Sequence, residues 1–421
     1  MPASSKKTQS SLSRSRPERG QDAYRAEVQA RLGSSIKRAE QAMMVAKSKA
    51  LREYDLSVAQ YAAMLSLYYA PGQSAAQLAR AAAVTPQTMA TVLARLEAKK
   101  LITRVPSEIH SRVNAVPLTP AAGQIAINVH YAGASYVEAL FAGGFVPTIP
   151  VPWVPGLEAS GTVRAYGEGV TEHDGLEIGT PVAAFTVTDS GGYGQIAVTN
   201  AHLVAPIPEG LDAATAAAVP ANTTAALIAL ERLAQVQSGQ SVLVQAAAGG
   251  LGSQLGQVAR YLGASRVVGV VGSEQKRHAA LELGYDEVIL RDDLAEQEPD
   301  QFDIIVDPVG GPTRARCVDL LRVGGRLLVV GDAAQAGDQL ISSNDLWLGG
   351  KSVMGFNLGA LTAAQPELVG TYLRRALQLV ADGEVKVPVT DVVPITQAPS
   401  VLARLRAGST VGKTVLKHEA L

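Results

Sequence analysis

Cysteine is almost missing from this chain of 421 residues: Cys317 stands alone. One thiol can form neither an internal disulfide nor a thiolate metal cluster. The six histidines, at positions 110, 130, 173, 202, 278 and 418, are scattered without paired ligand spacing. Each reads as a surface or satisfied core histidine, and no metal site is expected. No apolar run reaches membrane-spanning length, and the Ser/Lys/Arg-rich start lacks the apolar core of a signal peptide. These absences point to the cytoplasm and away from a membrane. A hydrophobic fraction of 47% with 18% charged residues suits a globular protein of two to four domains.

The net charge of −1 hides an asymmetry. Residues 1–122 hold 18 Lys/Arg against 8 Asp/Glu, whereas residues 123–421 hold 19 against 30. A basic front on an acidic body predicts a polyanion partner for the front alone. Residues 1–21 have almost nothing to bury and read as a disordered basic arm, either touching DNA or simply solvated.

In the middle of the chain, Ser241-Val-Leu-Val-Gln-Ala-Ala-Ala-Gly-Gly-Leu-Gly-Ser-Gln-Leu-Gly-Gln-Val-Ala joins a buried strand to a glycine turn and a helix. Ala248, Gly249, Gly250, Leu251 and Gly252 lie where the turn meets the helix N-terminus, a natural phosphate site. A glycine turn alone is weak evidence. Further strands at Arg266-Val-Val-Gly-Val-Val-Gly, Phe302-Asp-Ile-Ile-Val-Asp and Gly325-Arg-Leu-Leu-Val-Val-Gly supply the context of a doubly wound, dinucleotide-binding parallel sheet.

Nearer the front, Asp22 to Arg52 has a helical pattern with Leu32, Ile36, Ala39, Met43 and Ala46 on one face. Ser57 and Ser74 cap two further helices. Thr85-Pro86 then opens Gln87-Thr-Met-Ala-Thr-Val-Leu-Ala-Arg-Leu-Glu. The spacing is that of a helix-turn-helix whose second helix presents Gln87, Thr88, Thr91 and Arg95 to a major groove. Leu101-Ile-Thr-Arg-Val and Val113-Asn-Ala-Val-Pro-Leu-Thr pair as a wing around His110 and Arg112.

Taken together, Leu56-Ser-Val-Ala-Gln-Tyr, Gln77-Leu-Ala, Thr85-Pro-Gln-Thr-Met, Leu93-Ala-Arg-Leu-Glu, Leu101-Ile-Thr-Arg and Leu118-Thr-Pro-Ala-Ala-Gly resemble the MarR family of transcription regulators over about residues 25–123. The resemblance implies a double-stranded DNA operator and places Arg112 as the wing arginine of a minor groove. Two departures stand out. Ser107-Glu-Ile-His-Ser-Arg replaces the family's acidic-rich wing motif, and the helices that complete the family's dimer after the wing are absent.

From Gln124 onward short strands punctuated by Gly and Pro suggest a small β domain. Val154-Pro-Gly-Leu-Glu-Ala-Ser-Gly-Thr-Val, Gly179-Thr-Pro-Val-Ala-Ala-Phe, Gly191-Gly-Tyr-Gly-Gln-Ile-Ala-Val, the glycine turn and Gly412-Lys-Thr-Val-Leu carry the next resemblance. It is to the zinc-independent quinone oxidoreductases (zeta-crystallin-like) of the medium-chain dehydrogenase/reductases. That implies a multidomain α/β chain: an N-terminal winged helix-turn-helix at 22–123, then a GroES-like β domain from 124–220 and 359–421, with a Rossmann domain at 221–358 inserted. Family members begin with about 25 further residues, forming the first barrel strands. Here the wing strands either take over their packing or leave the barrel open.

The resemblance also implies site residues. Asn222, Thr223 and Thr224 lie beneath a nicotinamide, and Gly331 and Asp332 line its other side. Ser135 and Leu140 stand where many relatives carry Asn and Tyr, with Tyr136 and Tyr193 as possible replacements. Ser135, Tyr136, Asn222 and Thr224 are therefore the candidate catalytic residues. Where the metal-dependent branch has Gly-His-Glu this chain reads Gly156-Leu157-Glu158. Without a Lewis acid, hydride addition to a quinone or enone is favoured over alcohol oxidation. At the second strand's end Gly272-Ser273 replaces the carboxylate of an NAD site. Ser273, Lys276 and Arg291 can hold a 2′-phosphate, so NADPH is the expected cofactor, with Glu274 as the counter-signal. Relatives of this type dimerise through dinucleotide-domain edge strands, which predicts a homodimer.

Three functional readings stay open: an active reductase carrying a DNA-binding domain; a regulator whose oxidoreductase half is a low-turnover sensor; and a reductase whose winged helix binds no DNA.

Overall fold

The computed structural model describes residues 37, 40–69, 73–106, 111–114, 120–144, 153–170, 175–187 and 191–419. The basic arm, most of the first half of the Asp22–Arg52 pattern and the wing tip with His110 lie outside them. The chain divides into two compact units, Met1–Pro117 and Leu118–Leu421.

In the first unit residues 40–51 are helical. Met43 and Ala46, placed on one helical face by their spacing, are exposed, as are the neighbouring Met44 and Val45. Ser57 opens the helix Val58–Tyr69 reciprocally: Gln60 N donates to Ser57 Oγ at 3.2 Å, and Ser57 N to Gln60 Oε1 at 2.8 Å. Ser74 and Gln77 repeat the arrangement for Ala75–Ala81. Thr85 accepts from Thr88 N at 3.1 Å and, with Pro86 first, opens Pro86–Ala98. The helices close on Ala63, Leu67, Leu78, Met89, Leu93, Leu96 and Ile102. Each buried leucine contributes roughly 1.5–3 kcal/mol.

β1 (Thr103–Pro106) and β2 (Ser111–Asn114) form the wing, antiparallel, with Val105 opposite Arg112. Among the described residues they form a two-stranded sheet of their own.

The second unit begins with β3 (Gln124–Ala134), β4 (Glu158–Tyr166), β5 (Pro181–Phe185), β6 (Ile196–Asn200) and β7 (Val204–Pro206). Six strands follow, β8 (Ser241–Gln245), β9 (Arg266–Val271), β10 (Glu287–Leu290), β11 (Phe302–Asp307), β12 (Leu321–Val329) and β13 (Ser352–Gly355). β14 (Val389–Pro394) and β15 (Lys413–Lys417) come last. β15 pairs antiparallel with β3, Thr414 opposite Ala134, in the sheet β14-β15-β3-β4-β5-β7, with β6 also on β3. The two ends of the unit thus meet in one β domain, around Ile125, Ile127, Val163, Val182 and Val204.

The inserted sheet runs β10-β9-β8-β11-β12-β13, every ladder parallel. β8 is wholly buried, as a strand covered on both faces must be. The chain starts at β8, winds outward through β9 and β10, then returns to β11 on the other side. That reversal opens a crevice at the carboxyl ends of β8 and β11, where ligands bind in open α/β sheets. The helix Pro366–Ala381 covers this half, setting Val369, Leu373, Ala376 and Leu377 in the same core as Ala226, Leu227 and Val244.

Candidate active site

The glycine turn follows β8. Ala246 takes φ +54° and Gly249 N donates to Ala246 O at 2.9 Å. A Cβ on Gly252 would collide with the Ala246 carbonyl, so only glycine lets the chain enter the helix Gly252–Tyr261 here. Tyr285 is fixed beneath the helix, its hydroxyl donating to Gly252 O at 2.6 Å. Gly256 and Gly269 leave room for its ring. The helix thus enters with the positive end of its dipole at the crevice.

At the end of β9 the Arg291 guanidinium lies over Gly272, in space a Cβ would fill. Ser273 caps the next helix, Glu274–Glu282, accepting from Lys276 N. Lys276 is half-buried, and its Nζ donates to Gly408 O at 2.6 Å. Burial first, and the nearby Arg291 second, hold the Lys276 ammonium below its ordinary pKa. The counter-signal is neutralised, because Glu274 Oε1 accepts from Arg277 at 2.9 Å. One hydroxyl and two mutually repelling cations fit a dianionic phosphate.

Across the crevice, Asn222 opens the helix Asn222–Leu227, and its Nδ2 is 2.8 Å from where a Gly250 Cβ would sit. Thr223 Oγ1 donates to Gln254 Oε1 at 3.1 Å. Thr224 Oγ1 and Ser135 Oγ are buried without a hydrogen-bond partner, and so is Asp332 Oδ1. Buried polar atoms in this condition are costly unless a ligand completes them. Gly331 is partly committed: its carbonyl accepts from Arg314 Nη2 at 2.6 Å.

Tyr136 and Tyr193 separate. The Tyr136 hydroxyl donates to Ala333 O at 2.8 Å, beside Gly331 and Asp332. Tyr193 is spent inside the fold, donating to Glu138 Oε2 at 2.8 Å, and so does not replace the missing acceptor-side tyrosine. Leu140 is buried.

Several organising residues had no assigned role in the sequence. Glu138 is fully buried and also accepts from Ser135 N and Leu157 N, both at 2.8 Å. Desolvation raises its pKa, partly offset by these donors. Asp307, at the end of β11, accepts from Gln245 Nε2 at 3.0 Å, Val309 N and Gly310 N at 2.8 Å, and Arg314 Nε at 2.7 Å. Glu158 pairs with Lys413. Only the terminal-turn pattern Gly412-Lys and the Pro-Gly-Leu-Glu motif hinted at any of these.

In the first unit Gln87, Thr88, Thr91 and Arg95 all lie on the exposed face of Pro86–Ala98, while Met89, Val92, Leu93 and Leu96 are buried on the other. Arg112 sits in β2.

Residues 54–112 match a MarR family model, 121–209 an alcohol dehydrogenase GroES-like domain, and 250–378 a model described as a zinc-binding dehydrogenase. Rat quinone oxidoreductase is 31% identical over 234 residues, 54% of this chain and 70% of that protein. The chain belongs to the quinone oxidoreductase family of the medium-chain dehydrogenase/reductases. A zebrafish synaptic vesicle membrane protein VAT-1 homologue is 27% identical over 71% of this chain. The chain spans 65% of that protein, 15% of a mycocerosic acid synthase-like polyketide synthase of Mycolicibacterium smegmatis and 16% of a phthioceranic/hydroxyphthioceranic acid synthase of Mycobacterium bovis, both 27% identical. The structure of Escherichia coli quinone oxidoreductase complexed with NADPH superposes with a TM-score of 0.65 at 25% identity, covering 75% of this chain and 98% of that one.

The zinc of the broader family model does not fit these residues. Both Glu158 oxygens are engaged, by Lys413 and by Ala221 N, and Cys317 is buried with its Sγ 3.2 Å from Gln245 Nε2. Among the described residues no group of three His, Cys, Asp or Glu converges on a point. No helix of the described residues is long and apolar enough to cross a membrane.

Proposed function

We propose that this protein is an NADPH-dependent quinone or enone reductase joined to a MarR-type DNA-binding domain, acting as a redox- or ligand-responsive regulator. The observation that carries the reading is the grouping of Ser273, Lys276 and Arg291 after β9, next to the strand β8 that leads into the glycine turn Ala248, Gly249, Gly250, Leu251 and Gly252. NADPH, when bound, supplies the hydride. Asn222 and Thr224 face the nicotinamide from one side and Gly331 from the other; Ser135 and Tyr136 meet the acceptor. The two orphaned hydroxyls, Ser135 Oγ and Thr224 Oγ1, support this placement. The domain limits remain those read from the sequence, 22–123, 124–220, 221–358 and 359–421.

The exposed set Gln87, Thr88, Thr91 and Arg95, with Arg112 on the wing, supports an operator-binding role. Two recognition helices must reach successive major grooves, which requires a homodimer. β13 lies at a sheet edge, and Trp347 and Leu348 just before it are 77% and 75% exposed. That edge of the dinucleotide domain is the dimer surface we assign.

Three measurements test the reading on the full chain. NADPH should bind at least tenfold tighter than NADH by fluorescence titration. 1,4-Naphthoquinone should be reduced at a rate insensitive to chelators. A palindromic operator should be retarded with an affinity that falls steeply with salt and shifts when NADPH is added. Binding of both cofactors alike would sink the cofactor assignment. DNA affinity indifferent to cofactor would leave two tethered, independent modules.

A further inference from the structure

Glu158 and Lys413 are each the first residue of a strand, β4 and β15, and both are buried, at 0% and 2% exposure. Their side chains form an ion pair. Lys413 Nζ also donates to Ala134 O at 3.2 Å, the carbonyl preceding Ser135. The other carboxylate oxygen, Glu158 Oε2, accepts from Ala221 N at 2.7 Å, the amide preceding Asn222. Gly133 is a glycine for a visible reason, since a Cβ there would occupy the space of Glu158 Oε1. On the third side, Gly412 N donates to Ala248 O at 2.9 Å, and Lys413 Cδ lies 3.1 Å from where a Gly250 Cβ would be. One ion pair therefore touches the backbone that leads into the acceptor-side residues and the backbone that leads into the cofactor-side residues, against the glycine turn.

Burying two charges is costly, and a well-packed apolar pair of the same volume is often as stable. The pair's distinctive property is directional: each charged group uses an oxygen or hydrogen outside the pair to fix a backbone group from a different wall of the crevice. We propose that Glu158 and Lys413 are positioning residues for hydride transfer. They set the distance between the Asn222–Thr224 wall and the Ser135–Tyr136 wall without touching cofactor or acceptor. The inference rests on the proposed reductase function.

The test compares wild-type protein with Lys413→Arg, Lys413→Met, Glu158→Gln and the double variant Glu158→Gln/Lys413→Met, which leaves no buried charge unpaired. Two readouts are taken on the full chain. The first is hydrogen exchange of the ligand-free protein over residues 131–136 and 219–224. In the double variant both segments should exchange at least tenfold faster while β8 and β11 keep wild-type protection. The second is single-turnover oxidation of NADPH by 1,4-naphthoquinone. The double variant should transfer hydride at least tenfold more slowly, with NADPH affinity within threefold of wild type, and Lys413→Arg should stay within threefold of the wild-type rate. A double variant with wild-type exchange in both segments overturns the proposal, as does one with a wild-type hydride-transfer rate. If the single variants fail to fold, the double variant and Lys413→Arg still decide. A wild type that oxidises no NADPH refutes the reductase reading, while the exchange data still judge whether the pair holds the two walls.

Discussion

The phenolic hydroxyl of Tyr136 donates to the carbonyl of Ala333 at 2.8 Å, joining the helix after β3 to the loop after β12 across the crevice. Burial raises the Tyr136 pKa above its ordinary value of 10, against the opposing pull of Arg406 and with a smaller push from Asp332. The phenol is therefore neutral, and a donor, throughout the physiological range. Tyr136→Phe removes one cross-crevice bond, worth about 0.5–1.5 kcal/mol net. The expected result is a three- to tenfold fall in kcat/KM for 1,4-naphthoquinone, with unchanged far-UV circular dichroism. A fall beyond a hundredfold would mean that the hydroxyl gives up its proton in the reaction.

Cofactor choice gives a second expectation. Lys276 faces Arg291 without a carboxylate to relieve it, so the site is prepared for a double negative charge. Lys276→Ala removes a charge-assisted hydrogen bond of about 1.5–3 kcal/mol, a loss of roughly ten- to a hundredfold in NADPH affinity. NADH, lacking the 2′-phosphate, should change less than threefold. Titrating both against the same variant checks the difference. Equal losses would show that Lys276 acts by holding Gly408 and not by meeting phosphate.

How far the sequence carried these residues depends on the kind of signal each one leaves. The strand, glycine turn and helix at 241–259 were legible because spacing alone encodes them, and the capping residues Ser57, Ser74 and Thr85 because the cap is local. Ser273 and Lys276 were legible by their place after β9. Glu138, Glu158, Lys413 and the Asp307–Arg314 pair were not, since each acquires its partner across tens to hundreds of residues or from the end of another element. Tyr193 shows the same limit from the other side. A tyrosine after two glycines looks available to a substrate until Glu138, 55 residues earlier in the chain, claims its hydroxyl. Periodicity puts Met43 and Ala46 on one helical face, but it cannot say whether that face is covered, and here both are exposed.

The turn inside the helix-turn-helix stores removable strain. Ala83 holds φ at +50°, a left-handed conformation that disfavours any residue with a Cβ. Its amide donates to Arg80 O at 3.2 Å, so the turn geometry is fixed by its neighbours. Ala83→Gly should stabilise the first unit by about 0.5–1 kcal/mol, the gain from relieving the Cβ clash exceeding glycine's added freedom when unfolded. Urea titration followed by a probe in the first unit would show a higher midpoint at unchanged slope. A lower midpoint would mean that the unfolded-chain term dominates.

The last expectation is a pH dependence. His418 is 8% exposed and its Nε2 has no hydrogen-bond partner, while its own N–H of the main chain donates to His130 O at 2.9 Å. Desolvation lowers its pKa below 6.5; a backbone hydrogen bond involving Gly192 works in the opposite direction, and His130 adds a small further depression. The unfolded chain therefore takes up this proton more readily than the folded one. The stability that the neutral imidazole contributes is complete above about pH 6.5 and declines as pH falls from there through the lower, folded-state value. Chemical denaturation at pH 7.5 and at pH 5.5 should show wild-type stability dropping between the two. In His418→Gln the drop should be smaller, because an amide at this position takes up no proton in this pH range. Every other titrating group is common to both proteins, so the difference between wild type and variant isolates the histidine. Parallel pH profiles for the two proteins would mean that the buried imidazole already opens to water before it is protonated.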